Sequence, residues 1–314
     1  MPSYMPTTAD YTSSNFGDYS PEEYSAKFNV KFYKNTHLTE TTNTNWEGDL
    51  KGRGSIVYID DIPSIVATEV VEGQEVNYQR PEAVRRSLKI DRQVEYAVET
   101  RTLMLRQTHH KDLTQVMMSD GSKASTIKID RIVLNETYTS VPAANKGATA
   151  GVISGSYNMG VSGTPLIFTK ANVLDNLVYA RAVLAEQDIP NDQCFAVLPI
   201  PIASMLKLSD LKDASFSGKT RSWLLDSNGR IGETIDGLQI YVSNNYVPIA
   251  DGSGKICYHM KVGHKSATTF AAQLTDHNMN LTDIHVYGEF HRDRVSFGFS
   301  VVNPNALADV YCTI

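Results

Sequence analysis

Four groups of residues have side chains that could do chemistry. The run Gly252-Ser253-Gly254-Lys255-Ile256 contains the Gly-Lys pair of a phosphate-cradling loop. Walker spacing, however, requires glycine where Ile249 stands and a hydroxyl where Ile256 stands, so no nucleotide site follows. Asp251-Gly252 is instead a strong turn dipeptide and predicts a hairpin. His285, Glu289 and His291 are metal-ligating types, but strand alternation spreads them along one face and no HExxH pattern exists, which favours surface or interface histidines over ligands. His109-His110 would point in different directions on a helix and fit a cap or solvent position better than a catalytic pair. Serine occurs in no GxSxG elbow. The three cysteines, Cys194, Cys257 and Cys312, form no CxxC pair and read as reduced thiols. No catalytic residue, metal or cofactor is expected, and the chain is not read as an enzyme.

Composition narrows the remaining classes. The 314 residues carry a net charge of -6, which excludes a broad basic surface for holding nucleic acid through its phosphates. With 41% hydrophobic residues the chain can bury a substantial core, yet no apolar run is long enough to span a membrane. The polar, acidic N-terminus lacks a basic n-region and an apolar h-region, so no secretory signal is expected. Without that route the Asn-X-Thr acceptors Asn135 and Asn280 should carry no sugar.

Residues up to about Asn45 show little periodicity and read as an extended arm, the first twenty or so fitting a disordered tail equally well. Ser55 to Ile59 and Ile65 to Val71 are β-branched runs separated by Asp60-Asp61-Ile62-Pro63. Leu88, Ile90, Val94, Tyr96 and Val98 then share one parity, with Arg92 as the exception. Read as one strand they span about 35 Å at about 3.3 Å per residue, a projecting ribbon whose apolar face a neighbouring copy should cover. Arg53, Tyr78, Arg80, Arg85, Arg86 and Lys89 are the ribbon residues expected at an inter-subunit contact.

A long amphipathic helix is predicted from about Thr108 to Tyr138, with Leu113, Val116, Met117, Ala124, Ile127, Arg131 and Leu134 inward and a bend or break at Asp120-Gly121. The glycine-rich stretch 142–163 reads as a mobile loop. A second helix follows, capped by Thr169, with Val173, Leu177, Ala180 and Leu184 on one face and its end at Ile189-Pro190. Strands are expected at Cys194 to Leu198, Leu238 to Val242, Val295 to Val301 and Ala308 to Tyr311, with a short helix through Met205 and Leu208. Gly229, Gly232 and Gly237 punctuate the hairpin before Leu238. The pattern is α+β, without regular βαβ repetition.

Three segments in this order resemble the major capsid proteins of tailed phages, the Hong Kong 97-like fold. They are Ala171-Asn172-Val173-Leu174-Asp175-Asn176-Leu177 leading to Ala185-Glu186-Gln187-Asp188-Ile189-Pro190; Phe195 to Pro201 followed by Gly229 to Asn244; and Val301-Val302-Asn303-Pro304-Asn305-Ala306-Leu307. The resemblance implies an N-arm (1–45), an extended β loop (46–99), a peripheral domain with a spine helix (100–170), an axial domain (171–250) and a return segment (251–314). It further implies self-assembly into hexamers and pentamers enclosing double-stranded DNA, with a portal protein, and scaffolding, decoration or cement proteins, as other partners. The place implied is the virion, assembled in the host bacterial cytoplasm. An encapsulin-like compartment of the same fold, or a cytosolic enzyme without a recognisable motif, are the alternatives.

Overall fold

A computed structural model describes residues 31, 33–47, 56–63, 65–69, 73, 78–101, 112–209, 230–252, 254–281 and 288–314, with backbone only for 230–233 and 273–281. The first element is α1, Leu38–Thr41, followed by the hairpin β1, Ile56–Asp60, and β2, Arg85–Lys89. Next come β3, Arg92–Arg101, and the long helix α2, Leu113–Glu136. The short strand β4, Leu166–Ile167, precedes α3, Val173–Ala185, β5, Cys194–Pro199, and α4, Ile200–Leu208. The chain continues through β6, Arg230–Ile235, β7, Leu238–Ser243, β8, Ile249–Ala250, and β9, Ile256–His264. It closes with β10, Thr268–Leu281, β11, Gly288–Val301, and β12, Leu307–Thr313. None of the described helices is long and apolar enough to cross a membrane.

Two sheets share α2. The larger runs β4-β12-β9-β5-β7-β6 with β8 beside β9, and the smaller runs β10-β11-β3. Central strand β5 is buried at every residue because both of its faces are covered. Cys194, Ala196 and Leu198 meet Val173, Leu177, Ala180 and Leu184 of α3, the four residues expected on that face. Phe195 and Val197 point the other way, to Leu134 of α2. Helix α3 starts one turn later than the sequence pattern placed it: Asn172, not Thr169, is the N-cap residue, and its Oδ1 accepts from Thr169 N at 2.7 Å.

Gly121 does not break α2, which runs unbroken for 24 residues. A Cβ on Gly121 would lie 2.6 Å or less from ring atoms of Tyr96 on β3, so glycine lets helix and strand approach. The inward face also differs from the expected one: Leu113, Ser125, Ile129, Asp130, Val133 and Leu134 are buried, whereas Val116 is exposed. Polar residues on the buried side hid the true stripe. Alanine at Gly121 trades better helix propensity, about 1 kcal/mol, against this contact. Gly121→Ala should therefore cost about 1–2 kcal/mol in denaturant unfolding, and the same change in a Tyr96→Ala background should be neutral or stabilising.

The glycine-rich segment is pinned rather than loose. Ala150 and Tyr157 exchange backbone hydrogen bonds at 2.7 and 3.0 Å, and Tyr311 N donates to Met159 O at 2.8 Å. Gly160 has φ +79°, and a Cβ there would approach Leu166 N to 2.8 Å and Tyr311 O more closely still.

Candidate assembly surface

The ribbon is shorter and differently built than its alternation implied. The strand does not run through from Leu88 to Val98: it breaks at Ile90-Asp91, and the two halves join different sheets. β2 pairs antiparallel with β1, Leu88 opposite Val57, while β3 pairs with β11, Val94 opposite Val295. The inward face of β3 is covered by α2 of its own chain, Val94 packing with Ile129 and Val133. Arg92, the parity exception, points inward with that face; its guanidinium bonds the Glu136 carboxylate at 2.6 Å and lies 4.9 Å from the centre of the Phe299 ring.

The base of the β1-β2 hairpin sits on the opposite face of the small sheet. Ile59 and Leu88 pack with Ala271 and Val302, flanked by Trp46, Val57 and Ile90. Gly298 lies beneath the hairpin, where a Cβ would come within 2.7 Å of Lys89 C and nearer to Lys89 O. Beyond this base, Asp61 N donates to Val84 O at 3.0 Å, and the Gln79 amide bonds both N and O of Val66. Residues 65–69 are irregular and exposed, so Ile65 and its described neighbours do not form the second strand that their β-branching suggested.

Beside the polar Gln79, Arg80 and Glu82, the tip exposes large apolar side chains. Ile62 is 95% exposed, Tyr78 90% and Ile65 72%, with Tyr58, Val66 and Val84 each more than half exposed. Large apolar side chains exposed together in this way are what a covering partner would bury. Tyr78, expected at a contact, is exposed; Ile62, Ile65, Val66 and Val84, exposed as well, were not singled out by the sequence pattern, although Pro63 and Pro81 signal that their segments cannot pair as regular strands.

The cations are divided. Arg85 bonds Asp60 at 2.7 Å and Arg86 bonds Asp61 at 3.1 Å, so both have partners within their own hairpin. The Arg85 guanidinium is the main reason that the Asp60 carboxyl is held below its usual range. Arg80 and Lys89 are exposed, and Arg53 lies outside the described residues. Of the three turn glycines, Gly229 lies outside them too, Gly232 falls on the backbone of β6, and Gly237 (φ +78°) follows Asp236 (φ +49°) in the two-residue turn between β6 and β7.

The other groups of chemical interest have structural roles. Asp251 and Lys255 close a hairpin in which Asp251 N donates to Lys255 O at 3.0 Å, as the turn dipeptide predicted. Asp251 Oδ1 accepts from Gly163 N and Tyr311 Oη. His291 is buried, not at the surface, with Glu289 at 3.6 Å; His285, His109 and His110 lie outside the described residues. Among the described residues no cluster of three His, Cys, Asp or Glu side chains is placed to hold a metal. All three cysteines are buried and free. Burial raises the Cys194 thiol, which lines a 390 Å³ hollow, so it is not a ready thiolate. A second hollow of 470 Å³ is bordered by Lys34, Ile200 and Lys207, and its Ser204 hydroxyl donates to Ile200 O at 3.0 Å.

No protein-family profile and no curated protein sequence matches the chain. Solved structures do. A chain of Mycobacterium phage Che8 superposes with TM-score 0.71 at 19% identity, over 93% of this chain and 96% of that one. The capsid of cyanophage P-SCSP1u gives TM-score 0.66 at 13% identity, with 99% of both chains covered. The capsid of cyanophage Pam1 gives 0.68 at 9% identity, covering 100% of this chain and 99% of its own. End-to-end coverage with so little shared sequence means that topology, not residue identity, carries the likeness: this chain has the mixed helix-and-sheet fold of phage capsid proteins.

Proposed function

We propose that this chain is the shell-building subunit of a tailed, double-stranded DNA phage, closing into an icosahedral capsid through hexamers and pentamers. The observation that carries this reading is the ribbon: a rigid base packed on the subunit's own small sheet and a tip displaying Ile62, Ile65, Val66 and Tyr78 to solvent. A second copy is the natural cover, because a head-to-tail contact between two different patches repeats around a ring and closes it. Several modest contacts per subunit reinforce one another once the ring forms. Tyr78 and Arg80 would lie at that contact, with Arg53 and Lys89 nearby and Arg85 and Arg86 stiffening the hairpin. The segments 1–45, 46–99, 100–170, 171–250 and 251–314 would then serve as arm, extended loop, peripheral domain, axial domain and return.

The net charge of -6 suits a container wall that does not grip phosphate. A portal protein would complete one vertex, and scaffolding, decoration or cement proteins would be further partners. Assembly would take place in the bacterial cytoplasm, and no reaction is assigned to the chain. Electron microscopy with size-exclusion chromatography of the purified full-length chain tests the reading. Rings of five or six, or closed shells, are the expected result; a monomer at every concentration up to the solubility limit would count against it.

A further inference from the structure

Where the N-terminal strap (residues 35–43) crosses the body it covers a knot of ionisable groups. His37 N donates to Asp130 Oδ1 of α2 at 3.2 Å, and His37 Nε2 donates to Val242 O of β7 at 3.0 Å. Asn245 Nδ2 bonds both Asp130 Oδ2 and Asn35 O. The strap then joins β10, with Asn43 N donating to Thr268 O and Phe270 N to Asn43 O. Beneath it, on β9, lies Lys261. Its Nζ has the Thr268 hydroxyl at 3.3 Å and the Phe195 ring centre at 5.6 Å. The space enclosed by His37, Leu38, Thr41, Asp130 and Lys261 is about 10 Å³, enough for one water at most. An ammonium there cannot keep its hydration.

We propose that Lys261 is a proton-operated lock on this strap: neutral, it lets residues 35–43 lie flat over the junction of the two sheets, and charged, it favours their lifting so that the ammonium reaches water. Four groups face the knot. The strap contributes His37 and α2 contributes Asp130. The β7–β8 connection contributes Tyr246, whose hydroxyl accepts from Lys261 N, and the large sheet contributes Asp309, the cross-strand partner of Lys261, which is engaged by His259 Nδ1 at 2.7 Å. Geometry and titration agree: burial lowers the Lys261 ammonium to about 7, with Asp130 opposing the shift.

The sign follows from which state holds more protons. With the strap lifted, Lys261 regains its ordinary affinity and is charged up to about pH 10.5, so between 7 and 10.5 lifting takes up a proton. The seated strap is therefore progressively favoured as pH rises through that window. Asp130, raised mainly by desolvation, acts oppositely in the acid range, where its protonation relieves a buried carboxylate. The seat is weakest between the two, where both groups are charged.

Amide exchange of residues 36–43 in the full-length chain, corrected for the intrinsic rate at each pH, tests this. Protection should fall at least about tenfold from pH 8.5 to 6.5. Lys261→Met, which keeps the aliphatic stem, should remove that dependence and leave the strap protected throughout. Asp130→Asn, which deletes the opposing charge, should move the loosening to lower pH. Wild-type protection that is flat across the window, or Lys261→Met or Asp130→Asn chains that follow the wild-type curve, would overturn the lock. The measurement reads one subunit and is independent of shell formation.

Discussion

Replacing residues 62–83 with Asn-Gly should leave a stable, folded subunit that does not form the rings or shells proposed for the full-length chain. The splice is local because Asp61 N already donates to Val84 O, and a two-residue Asn-Gly loop closes such a pair as a type I′ turn. The Arg85–Asp60 and Arg86–Asp61 bonds are retained, as is the cluster of Ile59 and Leu88 with Ala271 and Val302. The removed side chains Ile62, Ile65, Val66 and Tyr78 are exposed and support nothing in the subunit itself. Unfolding free energy should change by no more than ~0.5 kcal/mol. Each of the four would gain roughly 1.5–3 kcal/mol if fully buried against a neighbour. Even after ordering costs, their loss should weaken association by more than about a thousandfold. Thermal melts and electron microscopy on the same preparation separate the outcomes: an unchanged melting temperature with normal shells would place the contact elsewhere.

The sequence disclosed faces better than partners. Alternation from Leu88 to Val98 reported correctly which side chains turn inward, and Leu88 is buried as expected. It was blind to the break at Ile90-Asp91, because parity survives when a chain passes from one sheet to another. The packing of Val94 against Ile129 and Val133 of α2 is a tertiary contact that strand alternation does not encode, so shelter that comes from the same chain was assigned to a second copy. Helix α3 was readable because five apolar residues, Val173, Leu177, Ala180, Val183 and Leu184, outweigh Asn176 and Arg181 on its buried side, whereas α2 buries Ser125 and Asp130 among only four apolar residues and shows a weaker stripe. At the ribbon, exposure of Tyr78 agreed with its reading as a contact residue, but the Arg85 and Arg86 pairs depend on strand register and lay beyond composition. The strap was read as an extended arm, yet His37 and Asn43 are buried polar residues whose bonds to α2, β7 and β10 only the tertiary fold supplies.

Glycine at 298 has a role that period-two alternation likewise conceals. On β11, Phe297 faces α2 with Ile129 and Val133, and the next residue faces the hairpin. Ordinarily that outward position would take a polar or β-branched side chain. Here the Lys89 carbonyl and the Ile90 Cα, 3.0 Å from a Cβ at this site, fill the space. All the obstructing atoms are backbone, and they cannot swing aside as a side-chain tip can. Gly298→Ala must either lift the hairpin from the sheet or push β11 into α2. The first path uncovers Leu88, Ile59 and Val302; the second disturbs Phe297, which is fully buried. A cost of about 2–4 kcal/mol follows either way. Lifting is the cheaper path, since the hairpin is held by one small cluster while Phe297 lies between a sheet and a helix. The variant should therefore lose hydrogen-exchange protection first in residues 56–60 and 85–89, with α2 and the large sheet still protected, and its shells should fail to close because the tip is re-aimed. Protection lost equally throughout the chain would mean that β11 moves instead and that the hairpin is not the element that yields.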